Sequence, residues 1–212
     1  MSIYNFDIRF KTRVEKTPRV LEVAEAFGIG LSESEFVIYD NLDLEVNTAD
    51  IVYITGQSGS GKSLLLKALA NKLEEETEVS RLENIELQEC PVIDQIGETF
   101  SEGLNFLAKA GVSDAFLYVR KPSELSDGQR YRVKLAKMIE SGTKVWVADE
   151  FGAVLDRVTA KAIAYNMSRT ARKLGVTLIV ATTHTDMVEE LGPDVVVTKH
   201  YRERIKVEYP DV

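Results

Sequence analysis

The chain has 212 residues, 44% of them hydrophobic, and a formal net charge of −8. That length accommodates one sizeable core, alone or with a small satellite, and no run approaches the roughly 18–20 apolar residues of a membrane span. The acidic balance argues against a surface devoted to nucleic acid, so direct nucleic-acid binding is not indicated. The single cysteine, Cys90, cannot build a disulfide framework and fits a reducing cytoplasm. One cysteine and two histidines also argue against structural zinc, and Met1–Asp7 lacks the basic and apolar regions of a secretory leader.

In chain order, residues 3–14 alternate apolar and polar, as a half-buried strand does. After Pro18 a short helix is expected over Arg19–Phe27, closed by Gly28 and Gly30. Phe36–Tyr39 and Leu42–Val46 read as two strands, and 47–50 as a turn into an apolar strand, Ile51–Ile54. A helical pattern follows from Leu64 to about Glu76, its C-terminal end crowded with acidic residues that the helix dipole does not support. Ile85–Leu87 reads as a short strand, and the apolar positions from Ile93 to Ala108 as a helix ending at Gly111. A further helix starts near Ser126, with Arg130, Arg132, Lys134 and Lys137 as its solvated basic flank.

Val145–Ala148 is a continuous apolar strand of the kind buried on both faces of a parallel sheet. A long helix over 157–174 stops at Gly175, followed by a strand over 176–181 and a helix begun near Thr185. Two late strands are expected around 195–197 and 205–207. Alternating strands and helices around the glycine-rich loop Gly56-Gln57-Ser58-Gly59-Ser60-Gly61-Lys62-Ser63 predict an α/β fold, a P-loop NTPase with a parallel core sheet. The N-terminal strands would add an antiparallel β layer. One domain over 1–212, with a compact helical insertion at about 89–143, is the economical organisation.

The densest chemistry lies in Gly56-Gln57-Ser58-Gly59-Ser60-Gly61-Lys62-Ser63, set between an apolar strand and a helix. Glycines let the backbone curl until its N–H groups face phosphate oxygens, and the helix adds its positive N-terminus. Nucleoside-triphosphate contacts are expected from Gly56, Ser58, Gly59, Ser60, Gly61, Lys62, Ser63 and Leu64, with Lys62 on the β- and γ-phosphates and the Ser63 hydroxyl on Mg²⁺. Asp149 and Glu150 end the strand Val145–Ala148. Asp149 is suited to hold Mg²⁺ beside Ser63, and Glu150 to polarise a water for in-line attack on the γ-phosphate. Alone, an apolar strand ending in two carboxylates is a common surface turn; the upstream loop gives it weight.

Leu125-Ser126-Asp127-Gly128-Gln129, 23 residues before Asp149 when counted from Ser126, resembles the LSGGQ signature of the ABC (ATP-binding cassette) ATPases. The resemblance extends through Arg130–Lys137, which looks like that family's signature helix. Phe151–Asp156 resembles its D-loop, where subunits touch, and Leu178–His184 its switch-histidine strand. The resemblance implies a homodimer in which Ser126, Gly128 and Gln129 close over ATP held by a second copy's P-loop, with His184 contacting the γ-phosphate. It also implies a Q-loop glutamine reporting Mg²⁺ and an aromatic stacked on adenine. Gln88 is the best match for the first, with Gln95 second and a plain surface glutamine as the competing reading. Phe27 is chosen for the second ahead of Phe36, and either also suits a core. Asp127 and Phe151 depart from the family pattern, which usually has glycine and proline there.

The resemblance leaves the driven machine open. Only 36 residues separate Gln88 from Leu125, a compact insertion for a transporter subunit. The stretches 149–157 and 181–186 look like stand-alone ABC ATPases associated with acetyltransferase-like domains, which here would be a separate chain. A soluble protein partner is therefore favoured, with the nucleotide-binding subunit of a membrane permease as the alternative. A chromosome-maintenance ATPase would need a long coiled coil, and a translation factor a second cassette; neither is in the sequence.

Overall fold

The computed structural model describes residues 2–200 and 205–210. The chain folds as two compact units, one of residues 1–4 and 45–212, the other of residues 5–44. The smaller unit holds most of β1 (Ser2–Thr12), α1 (Pro18–Phe27) and most of β2 (Ser34–Val46). β1 and β2 form a separate two-stranded antiparallel sheet. The two strands expected at 36–39 and 42–46 are one, turned at Asn41, whose φ of 45° is left-handed. Thr17 caps α1 by accepting from Val20 N–H, and Gly28 closes it with a φ of 63°. None of the helix's residues is buried. Arg9 ties the unit's strands together, donating to Asp7 and Asp40 at 2.7 Å each.

The larger unit is built on a six-stranded sheet, order β4-β5-β6-β3-β7-β8, from β3 (Ile51–Gly56), β4 (Val79–Arg81), β5 (Val145–Ala148), β6 (Thr177–Thr182), β7 (Val195–Lys199) and β8 (Lys206–Glu208). All neighbours are parallel except β7 and β8. β3, β5 and β6 are buried at every residue, as their unbroken apolar runs require of strands covered on both faces. The covering helices are α2 (Lys62–Glu74), α3 (Phe100–Lys109), α4 (Ala115–Tyr118), α5 (Asp127–Glu140), α6 (Arg157–Leu174) and α7 (Val188–Leu191). Tyr53, Leu107, Met138, Trp146, Phe151 and Met167 belong to one continuous core beneath them.

Two further expectations need correction. Ile85–Leu87 is not a strand; β4 lies earlier, at Val79–Arg81, paired with β5. The helix expected over 93–111 is a 3₁₀ turn at Val92–Gln95 followed by α3, because Gly97 breaks the run at φ 76° and Thr99 recaps it in a capping box with Glu102.

The sheet order places β3 between β6 and β7, with β5 beyond β6. The parallel register sets Thr55 level with Thr182 and Ala148 level with Val180. The C-terminal ends of β3, β5 and β6 therefore present their loops on one edge, where ligands bind in open α/β sheets.

Candidate functional site

Those loops line a cavity of 620 Å³. Ser58, Gly59, Gly61, Lys62, Ser63 and Leu64 come from the turn after β3, Asp149 and Glu150 from the end of β5, and Thr182 and Thr183 from the end of β6. Gly56 is where the chain leaves β3. A Cβ there would stand 1.9 Å from the Lys199 carbonyl oxygen, and φ is +134°, so only glycine fits. The loop then turns directly into α2, whose first residues, Lys62, Ser63 and Leu64, line the cavity.

The side chains of this loop are arranged for anion binding. The Lys62 ammonium donates to the carbonyls of Gly56 at 2.9 Å and Gln57 at 2.7 Å, which suspends its charge over the loop. Burial lowers the Lys62 pKa, while the charges of Asp149 and Glu150 oppose that shift. Ser60 Oγ is buried without a partner, a polar atom that a phosphate oxygen would satisfy. Ser63 Oγ donates to Asp149 Oδ1 at 3.0 Å, so the two oxygens suited to a hard cation already adjoin. Among the described residues no cluster of three or more His, Cys, Asp or Glu forms a metal centre. One carboxylate and one hydroxyl instead match Mg²⁺, which is commonly shared between few protein ligands, water and phosphate.

Glu150 sits at φ 48°, in the left-handed region that a non-glycine residue rarely adopts. Its backbone N–H donates to Asp149 Oδ1 at 3.0 Å. Beyond it, Phe151 N–H donates to the Ala181 carbonyl at 2.8 Å and its ring is fully buried. A proline at 151 could not make that bond. The ring meets Tyr131 of α5 edge-on at 6.4 Å, and the Tyr131 hydroxyl accepts from Gly152 N–H at 3.0 Å. The chain after Glu150 is thereby fixed to both β6 and the helix that begins at Ser126.

The backbone at His184 is held just as firmly. Its carbonyl accepts from the Tyr53 hydroxyl and, at 3.0 Å, from Thr55 Oγ1, while its N–H donates to Thr182 Oγ1 at 3.2 Å. Two residues on, Asp186 pairs with Arg157 at 2.5 Å and Lys161 at 3.6 Å, both from α6. His184 directly follows the cavity residue Thr183 but does not itself line the cavity. Asp156, the last residue of the expected subunit-contact loop, caps α6 by accepting from Val158 and Thr159 N–H. A hydrogen bond from the Thr159 side chain, and after it those backbone bonds, hold its carboxyl below the ordinary range.

Ser126, Gly128 and Gln129 stand apart from the cavity. Ser126 and Gln129 close a capping box at the start of α5, with Ser126 Oγ accepting from Gln129 N–H at 3.3 Å and Gln129 Oε1 from Ser126 N–H at 2.9 Å. A Cβ at Gly128 would lie 3.1 Å from Leu155 Cδ2 and 3.3 Å from the Val154 carbonyl, so this loop packs closely on the one that follows Glu150.

Phe27 ends α1 in the smaller unit and is 76% exposed, and Phe36 is 46% exposed. Gln88 is exposed and does not line the cavity; the strand expected to deliver it is absent. Its backbone amide and carbonyl are held by the buried Gln95 side chain at 3.0 Å each, which gives Gln95 a structural role.

Sequence reasoning missed Glu83. β4 pairs with β5 as far as Arg81, level with Val147, and the chain then turns as a 3₁₀ helix over Leu82–Asn84. Glu83, Lys67, Tyr131 and Lys134 line a neighbouring 350 Å³ cavity that shares Asp149 and Glu150 with the first. The three-residue β4, with a serine and an arginine, has no apolar period to announce it, so nothing local marked the position.

A family model described as ABC transporter matches residues 39–114. Among curated proteins, the methionine import ATP-binding protein MetN of Helicobacter hepaticus is 29% identical over 74% of this chain and 54% of its own length. The macrolide export ATP-binding/permease protein MacB of Burkholderia pseudomallei is 28% identical over 74% of this chain and 29% of its own. The chain thus spans about half the length of the methionine-import relatives it matches. In fold it is similar to the ATP-binding cassette MJ0796 in a dimeric post-hydrolysis state bound to ADP and Pi, with TM-score 0.70 and 15% identity over the whole of both chains. It is also similar to cbiO1 of Clostridium perfringens, with TM-score 0.58 and 22% identity over 77% of this chain and 78% of that one. Sheet order, the residues gathered at its edge and these likenesses agree: the chain has the fold of the ABC ATPases.

Proposed function

We propose that this chain is the ATP-hydrolysing nucleotide-binding subunit of a membrane transporter, and that two copies close head-to-tail around two ATP molecules. One observation carries the two-copy reading. Lys62, Ser63, Asp149 and Glu150 converge on one cavity while Ser126, Gly128 and Gln129 stand outside it. Each copy then offers one half of a site and the complement of another, which a C2 pair satisfies twice.

In this mechanism Lys62 and the loop amides hold the β- and γ-phosphates, and Ser63 and Asp149 would hold Mg²⁺, which would supply neutralisation of phosphate charge. Glu150 takes a proton from the attacking water while His184 orients it and contacts the γ-phosphate. The strained φ of Glu150 suits a base held in place by its surroundings rather than by its own preference. Phe27 is proposed to stack on adenine. The metal-reporting role assigned to Gln88 is proposed only for a rearranged loop, since Gln88 does not line the cavity that holds Ser63 and Asp149.

The transport reading replaces the soluble partner favoured on sequence. Two of the departures behind that preference have local explanations: Phe151 fills the core and bonds Ala181, and Asp127 pairs with Arg130. The relatives are named for methionine import and macrolide export, and a soluble partner with an acetyltransferase-like domain draws no support from them. No helix among the described residues is long and apolar enough to cross a membrane, so a permease would be a separate component or a further part of the protein. The subunit would then work at the cytoplasmic face.

The Glu150→Gln protein, trapped with ATP, tests this assignment. It should be recovered from detergent-solubilised membranes with an integral membrane protein that stimulates ATP hydrolysis by the unsubstituted chain. Recovery solely with a soluble partner that gives this stimulation would return the soluble reading.

A further inference from the structure

We propose that Arg130 is a positioning residue that turns the Asp127 carboxylate aside and cancels its charge, so that an acidic signature loop can close on ATP. The inference rests on the two-copy reading above. Asp127 is the first residue of α5 and adjoins Ser126, in the loop proposed to meet the partner's γ-phosphate. A free carboxylate there would face a triphosphate of like sign, and like charges oppose association.

Three observations show how the chain avoids this. The Arg130 guanidinium donates through Nη2 to Asp127 Oδ1. Through Nη1 it also donates to the Leu125 carbonyl at 2.6 Å and the Pro122 carbonyl at 3.2 Å, so the backbone before the loop fixes its place. Finally, Gly128 leaves no slack for a side chain against Leu155 and the Val154 carbonyl, so the loop lies close on its neighbour. The Asp127 side chain is held by Arg130.

An exposed i,i+3 ion pair ordinarily contributes little. This pair differs because the cation is anchored independently of its anion: the Arg130 side chain is 37% exposed, against 79% for Asp127. Removing the arginine would leave both a free charge and a slack loop, and these two consequences separate experimentally.

The test uses the Glu150→Gln protein and measures its ATP-driven dimerisation by sedimentation at low and high salt. Adding Arg130→Gln should weaken dimerisation about tenfold at low salt and less at high salt, because salt screens exposed charges. Adding Arg130→Lys should keep most of the affinity, and the pair Arg130→Gln with Asp127→Asn should return it to within about twofold of the parent. Monomer affinity for MgATP should not change, since Arg130 does not line the phosphate cavity. Arg130→Gln dimerising as well as the parent would overturn the inference. So would a double variant as weak as Arg130→Gln alone, which would assign the loss to the slack loop. If Arg130→Gln does not fold, Asp127→Asn alone decides: dimerisation no weaker than the parent supports the inference, and weaker dimerisation overturns it. A parent that never dimerises with ATP would instead remove the two-copy reading, and this inference with it.

Discussion

The two halves of the proposed ATP site are built to different degrees of completion. At the phosphate cavity each key group already has its setting: Lys62 is hung from two carbonyls, Ser63 touches Asp149, and Glu150 is held between Asp149 and the buried Phe151. At the signature loop the capping box and Arg130 satisfy the chain's own groups, and the loop lines no part of that cavity. A fold that preorganises one half and merely shapes the other ties chemistry to encounter. Nucleotide binding should depend on the first half alone, and turnover on both.

This contrast can be broken from either side. The largest effect is expected at Glu150. Glu150→Gln should lower ATP turnover by roughly 10²–10⁴-fold in a steady-state phosphate-release assay, the usual range for losing a general base, while leaving ATP affinity nearly unchanged. Turnover within a few-fold of the unsubstituted chain would assign the base elsewhere.

Lys62→Ala comes next. Losing the charge-assisted contact should weaken monomer affinity for MgATP by at least about tenfold, measured by calorimetry, on the scale of about 1.5–3 kcal/mol for such bonds. Unchanged affinity would remove the anion-binding reading of the loop.

Gly56→Ala asks whether the first half is as rigid as described. The added Cβ meets the Lys199 carbonyl at 1.9 Å, so the thermal midpoint should fall markedly, by the equivalent of about 1–3 kcal/mol or more. A midpoint within a degree of the parent would mean the strand ends can part.

Ser126→Ala sharpens the other half. It should cost stability of about 1 kcal/mol through the lost cap and reduce turnover, yet leave monomer ATP affinity untouched. A drop in monomer affinity would place Ser126 in the same chain's nucleotide site.

Legibility in the sequence followed the same division. The loop from Gly56 to Ser63, the Asp149–Glu150 strand end and the Ser126 cap are contiguous, and each carries its own local physics, so they were readable. The segment between them was not. Ile85–Leu87 alternates apolar and polar like a strand but has no neighbouring strand to pair with, whereas Val79–Arg81 pairs with β5 without any pattern of its own. That shift removed the strand expected to deliver Gln88, because pairing is a property of two strands and cannot be read from one. The contact of Tyr131 with Phe151 was hidden for the same reason: it joins residues 20 positions apart through a core that exists only after folding.

The most direct test of the account is the mass of the Glu150→Gln protein with and without MgATP, by light scattering. The account predicts a 23.7 kDa monomer that doubles in mass when ATP is added and returns to monomer when Ser126→Ala weakens the opposite half. A protein that binds ATP with full affinity yet remains at monomer mass would contradict the claim that its ATP site is completed by a second copy.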